Sequence, residues 1–321
     1  MKKEDLRIVY MGTPDFAVES LRRLVEGGYN VVGVITMPDK PIGRHQDTLQ
    51  ASPVKKYAVE HGLKVLQPAN LKDNAFVDEL RELKADLQIV VAFRMLPEAV
   101  WNMPRLGTFN LHASLLPQYR GAAPINWAII NGDKETGVTT FFLKHEIDTG
   151  DIIQQVRIPI ADSDNAGIIH DKLMAIGGDL VIETIDNIIA GTIKCMPQNE
   201  IAAEENLRPA PKIFKETCQI DWQKGTKRVY DFIRGLSPYP AAWTTLQNGD
   251  KSHVLKIFET EKIEERQDLP VGTVIIEDKR LLVSLSDGML ALKVVQIAGK
   301  KRMKVEEFLN GFHANGDIKV I

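Results

Sequence analysis

From residue 6 to residue 190 short apolar runs alternate with amphipathic stretches, and this alternation limits the architecture more than any other feature of the 321-residue chain. Apolar runs at 6–11, 31–36, 64–66, 87–93, 108–114, 137–143 and 152–158 have strand length, whereas 14–26, 53–61, 74–83, 124–130 and 167–189 carry helical spacing. Strands separated by helices pack as a mostly parallel, doubly wound sheet with helices on both faces, an α/β fold. The last helix is the longest. Ile169, Leu173, Ile176 and Leu180 share one face, which Val181, Ile185 and Ile188 widen toward its end.

Residues 195–211 differ in character, with Pro197, Pro209 and Pro211 set among Asn, Gln and Glu, and read as a linker. After a helix at 226–236 and a turn of Ser237, Pro238, Tyr239 and Pro240, short strands are expected at 242–246, 253–258, 272–276, 281–285 and 290–297. Turn signals separate them at Asn248 and Gly249, at Asp278 and Lys279, and at Asp287 and Gly288. Such a run of short strands predicts a small barrel of the oligonucleotide-binding (OB-like) type. The expected organisation is an α/β domain over 1–195, a linker over 196–210 and a C-terminal β-barrel over 211–321.

A hydrophobic content of 44% and a charged content of 26% place the chain among ordinary soluble proteins. The charged residues 1–5 and the short apolar run after them suit neither a signal peptide nor a membrane span. Cys195 and Cys218 stand 23 apart without companion ligands, which suits a reducing compartment and excludes a disulfide framework or a cysteine zinc site. The cytoplasm is the expected location. Residues 208–321 hold 19 Lys and Arg against 15 Asp and Glu, and the remainder 21 against 28. A basic C-terminal part on an acidic body fits a polyanionic partner, or ordinary charge scatter.

The strand at 108–114 breaks the pattern. Asn110, His112 and Ser114 share one face, opposite Phe109, Leu111 and Ala113, although strands of such a sheet are usually apolar on both faces. Asp148, Thr149 and Gly150 follow the next strand, and ligands of open α/β sheets bind beyond the carboxyl ends of strands. Asn110 offers an amide donor for an oxyanion, His112 an imidazole to move a proton, and Asp148 a carboxylate to orient or charge that imidazole. This is a set for acyl transfer. With no activated serine or cysteine beside it, direct transfer to an amine fits better than a covalent acyl-enzyme. Three such groups are too few for a metal.

Gly12, Thr13, Pro14, Asp15 and Phe16 lack the later glycines of a dinucleotide fingerprint and read as a strand-to-helix turn, with Thr13 as cap and Pro14 at the first helical position. Residues 38–52 form a long polar loop carrying Lys40, Arg44 and His45, suited to nucleic-acid contact or to disorder. His45, His145 and His170 read as surface or structural. Lys300, Lys301, Arg302 and Lys304 are either a solvated turn or a contact for a polyanion. The Gly- and Pro-rich stretch after Ser114 is longer than a plain connector needs.

Taken together, these motifs resemble the formyltransferase family that uses 10-formyltetrahydrofolate, and within it the members acting on initiator methionyl-tRNA. The likeness spans essentially the whole chain. It rests on the 12–16 turn, on Pro38, Asp39, Lys40, Pro41, Gly43 and Arg44, and on Asn110, Leu111 and His112. Ser114, Leu115, Leu116, Pro117, the stretch from Tyr119 to Ile125, Asp148, Thr149 and Gly150, and Ile220, Asp221 and Trp222 complete it. The resemblance implies a Rossmann-like catalytic domain, a barrel that helps to hold tRNA, a monomer, and a folate co-substrate with no metal. By the same resemblance Asn110, His112 and Asp148 are catalytic, while Ser114, Leu115, Leu116, Pro117, Arg94, Met95 and Leu96 line the folate site. Lys40, Arg44, Lys300, Lys301 and Arg302 are the expected tRNA contacts. Formyltransferases acting on amino-sugar nucleotides or glycinamide ribonucleotide share donor and chemistry and differ in acceptor. A non-catalytic RNA-binding protein would not need the intact triple.

Overall fold

The computed structural model describes residues 1–42, 48–201, 206–263 and 268–321. The chain divides into two compact units. One comprises Met1–Gly121, Thr136–Ile158 and His170–Pro209; the other comprises Ala122–Glu135, Pro159–Ile169 and Ala210–Ile321.

The chain opens with β1 (Ile8–Gly12), α1 (Phe16–Glu26) and β2 (Val31–Ile35), then a short hairpin of β3 (Lys40–Ile42) and β4 (Thr48–Gln50). Next come α2 (Pro53–Glu60), β5 (Val65–Leu66), α3 (Asn74–Glu82), β6 (Leu87–Val91), α4 (Glu98–Trp101) and β7 (Thr108–His112). Then α5 (Pro124–Ile130), β8 (Glu135–Phe142), β9 (Ile152–Pro159) and α6 (Ala166–Ala190) follow. One sheet has the order β5-β2-β1-β6-β7-β8-β9. Its first five strands in that order are parallel, and β8 is antiparallel to β7. Every residue of β1 and β6 is buried, as covered central strands require. On one face Val9, Met11, Ile35 and Val90 pack with Phe76, Val77 and Leu80 of α3. Ser52 caps α2 by accepting from the Lys55 N–H at 3.0 Å, and Pro53 fills the next position, where its missing N–H costs nothing.

Two expectations about this region need correcting. Thr13 does not cap α1, which begins at Phe16 after Asp15; the Thr13 hydroxyl accepts from the Met37 N–H at 3.4 Å. That bond ties the turn after β1 to the segment leaving β2. Residues 38–52 hold a hairpin rather than only loop, with Lys40 opposite Gln50 and Ile42 opposite Thr48. Strands of three residues are too short to show a period, so residue pattern does not announce them. Arg44 and His45, both within 43–47, lie outside the described residues.

In the second unit α7 (Thr226–Leu236) precedes β10 (Ala242–Asn248), β11 (Lys251–Ile263), β12 (Val274–Glu277), β13 (Arg280–Ser284) and β14 (Met289–Ile297). Three elements absent from the sequence reading, β15 (Met303–Lys304), α8 (Val305–Asn310) and β16 (Ile318–Val320), complete it. The sheet runs β12-β13-β14-β11-β10-β16, and a bridge between Thr273 and Lys319 brings its ends together into a nearly closed antiparallel barrel. Asp278 and Lys279 both take positive φ (48° and 60°) at a two-residue turn, as a primed hairpin turn demands. Leu246, Leu255, Ile257, Leu281, Val283 and Leu290 fill the barrel together with Val229, Ile233 and Leu236 of α7. The α/β sheet followed by a barrel is the expected architecture.

Candidate active site

Asn110 sits on β7 between Val90 of β6 and Phe141 of β8. Its neighbours Phe109 and Leu111 are buried, and α6 approaches Leu111 closely, since a Cβ on Gly177 would lie 2.8 Å from its Cδ2. On the other face Asn110 is half-buried, and no described residue hydrogen-bonds its amide. An amide fixed on a rigid strand without a protein partner is available to a ligand.

His112 is buried at the end of β7, with its Nε2 2.8 Å from the Tyr119 carbonyl oxygen. A carbonyl only accepts, so Nε2 carries hydrogen and the ring exchanges protons at Nδ1. That atom lies 3.9 Å from Oδ2 of Asp148, in ion-pair range but beyond a hydrogen bond. The same Oδ2 accepts from the Gly121 N–H at 3.0 Å. The imidazole is therefore oriented by a backbone carbonyl, while the carboxylate supplies charge. Of the two roles the sequence left open for Asp148, orienting or charging the imidazole, this distance favours the second.

The route of Asp148 to this place differs from expectation. Because β8 is antiparallel to β7, Phe142 near its end pairs with Phe109, and the following loop must fold back to reach His112. It does so with Asp148 at φ +55° and with Gly150 against β8, where a Cβ would lie 1.5 Å from the Phe142 carbonyl oxygen. Only glycine fits there.

Ser114 lies beyond the end of β7 rather than on it, and its buried hydroxyl donates to the Gln118 carbonyl oxygen at 2.6 Å. Leu116 is buried with Phe141 and Ile152, Pro117 is buried, and Leu115 is half-buried. Their backbone is pinned from the sheet. Thr139 donates to the Ser114 carbonyl at 2.7 Å, and Gln155 to the Leu116 carbonyl at 2.8 Å. Since β6 and β7 are adjacent and parallel, residues 94–96 and 114–117 leave the same edge of the sheet. Arg94 holds the carbonyls of Pro68 and Ala69, and its Nε is buried without a partner among the described residues. Burial pushes its guanidinium below its ordinary value. Met95 is 70% exposed, whereas Leu96 is buried in the core, so its side chain serves packing and only its backbone can face a ligand.

Lys40 begins β3 and is exposed. Arg44, outside the described residues, has no place assigned. Lys300 and Lys301 are exposed; Arg302 lies 4.1 Å over the Phe258 ring and 3.4 Å from Glu259.

Sequence reasoning missed Tyr119, Thr139, Gln155 and Gln198. Gln198 is buried in the supposed linker and donates to the carbonyls of Asp148 and Gly150 at 2.7 and 2.8 Å. Nothing local marks a glutamine in a polar, Pro-containing stretch as the holder of a turn 50 residues earlier.

Residues 6–185 match the formyl transferase family, and residues 212–313 match the formyl transferase C-terminal domain. A methionyl-tRNA formyltransferase of Phocaeicola vulgatus is 68% identical over 323 residues, and one of Bacteroides thetaiotaomicron is 66% identical over 322, each match covering all of both chains. Among solved structures, the N-formyltransferase of Helicobacter canadensis, in complex with folinic acid and dTDP-3-aminofucose, superposes with a TM-score of 0.65. That match has 23% identity and covers 92% of this chain and all of the other. At that identity the likeness concerns the fold.

Proposed function

The chain belongs to the formyl transferase family, and from that premise we propose that it transfers a formyl group from 10-formyltetrahydrofolate to the α-amine of methionine on initiator tRNA. The observation that carries the acceptor is the end-to-end likeness to methionyl-tRNA formyltransferases, barrel included. The donor set fits a folate. Among the described residues the half-buried amide of Asn110 and the buried Nε of Arg94 have no hydrogen-bond partner, and the backbone carbonyls of Ser114 and Leu116 are held by Thr139 and Gln155 along the same sheet edge. No helix among the described residues is long and apolar enough to cross a membrane, and we place the reaction in the cytoplasm.

Bound 10-formyltetrahydrofolate supplies an activated formyl carbon. The chain's residues act on the charges that appear as the amine attacks it. Asn110 donates from its amide to the formyl oxygen as negative charge gathers there. The attacking nitrogen sheds a proton as its bond to the formyl carbon forms. As the oxyanion collapses back to a carbonyl, the bond from that carbon to the folate nitrogen breaks, that nitrogen takes up a proton, and tetrahydrofolate leaves. A proton taken by His112 resides on Nδ1, 3.9 Å from Asp148, whose charge balances it. Tyr119 keeps the ring from turning Nε2 toward that proton.

The test is single-turnover transfer from 10-formyltetrahydrofolate, with charged initiator tRNA and an amino-sugar nucleotide offered in parallel. Formyl on the methionine of the tRNA is expected. Transfer to the sugar alone overturns the acceptor while leaving the triple in place.

A further inference from the structure

We propose that Gln198 is a positioning residue for formyl transfer, acting through Asp148; this rests on the catalytic reading of His112 and Asp148. Gln198 is 3% exposed and uses its whole amide. Its two N–H groups go to the carbonyl oxygens of Asp148 and Gly150, on either side of Thr149. Its Oε1 accepts from Nε and Nη2 of Arg120 at 3.0 and 2.8 Å. With the oxygen fixed by a guanidinium, the amide cannot flip, so the N–H side must face the two carbonyls.

The held turn is the one that needs holding. Asp148 stands at positive φ, a conformation that a non-glycine residue keeps only when its surroundings impose it. Two hydrogen bonds to the backbone beside that residue, and a third from Gly121 to its carboxylate, impose it here. Arg120 adjoins both Tyr119, whose carbonyl orients His112, and Gly121, whose N–H holds Asp148. Gln198 bonded to Arg120 therefore joins the two supports of the catalytic pair. The same stretch of chain returns to them. The Tyr119 N–H donates to the Arg208 carbonyl at 2.7 Å, and the Arg208 N–H donates to Gln118 at 2.9 Å. Gln198 and Arg208 thus bear on the distance between His112 and Asp148 through hydrogen bonds to the backbone around them.

The experiment is a double-mutant cycle on the full chain, with single-turnover formyl transfer, KM for both substrates and the melting temperature as readouts. Gln198→Ala is expected to lower the transfer rate by about 10²-fold, the effect of misplacing a catalytic group by about 1 Å, with both KM values nearly unchanged. On an Asp148→Asn background the same change should cost no more than about two-fold, within ordinary additivity error. Gln198→Glu keeps the volume and the Arg120 contact and lacks the amide hydrogens; it repeats the cycle should the alanine variant fail to fold. Full, additive loss on the Asp148→Asn background assigns Gln198 a general structural role and overturns the proposal, as does parent-level turnover in either folded variant. Parent-level turnover in Asp148→Asn alone instead removes the catalytic reading beneath it.

Discussion

Asn110 is half-buried on a rigid strand, and among the described residues its amide has no hydrogen-bond partner, which leaves it to a ligand. Asn110→Ala should lower turnover by about 10²–10³, the usual cost of an oxyanion donor, with the folate KM little changed. His112→Ala should lose about 10²–10⁴. The double variant should lose no more than the worse single one, since both act in one step. Steady-state kinetics on the three proteins check this, and multiplied losses would separate the two residues. Asp148→Asn retains a carbonyl to accept from Gly121 while losing the charge and exchanging the other oxygen for an NH2 donor, so its defect reads those two changes together.

At the scale of elements, the turn after β8 and the helix after β1 are the informative pieces. A Cβ at Gly150 collides with backbone, which cannot yield as a side chain could, so Gly150→Ala should destabilise by at least about 1–3 kcal/mol and displace Asp148. Urea melts together with turnover measure both effects, and a parent-like variant would disprove the geometry. On α1 the Arg22 hydrogen bond holds the Glu19 carboxyl below its ordinary value of 4.5, and Arg23 adds to the effect. A depressed folded-state pKa gives stability that is present above 4.5 and lost as pH falls through the folded value. The stability gap between the parent and Glu19→Gln should therefore be constant at neutral pH and close on acidification. Urea midpoints across pH measure it, and a gap that widens in acid would reverse the sign.

For the whole molecule, the two units do not follow chain order. Asn126 and Trp127 of α5 donate to the carbonyls of Gly235 and Pro211, and the buried Arg234 donates to the carbonyl of Asp164. Residues 1–195 expressed alone would leave those groups without partners, so that fragment should melt well below the full chain or aggregate; a parent-like melt would refute this. Charge belongs to this scale too. Lys300→Ala and Lys301→Ala should raise KM for tRNA with kcat unchanged, each reducing the log–log salt slope by about 1. Arg302→Ala should also cost stability, because its guanidinium covers Phe258 beside Glu259.

Faces and periods are local properties, and they were legible. Alternation of runs foretold the sheet and its helices, and the Asp278 and Lys279 turn foretold a hairpin; the polar face of β7 is what singles out Asn110 and His112 as candidates. Four-residue α4 and the three-residue strands β3 and β4 were not legible, because elements that short carry no period. Nor could the sequence say that β8 runs antiparallel, that a carbonyl rather than a carboxylate orients His112, or that Gln198 holds the Asp148 turn. The first is a pairing of backbone with backbone, and the other two are hydrogen bonds between a side chain and a backbone carbonyl 7 and 50 positions away. A backbone carbonyl is the same chemical group at every residue. Which one meets a given side chain is decided by the path of the folded chain, so identity and facing came from the sequence and partnership from the tertiary structure.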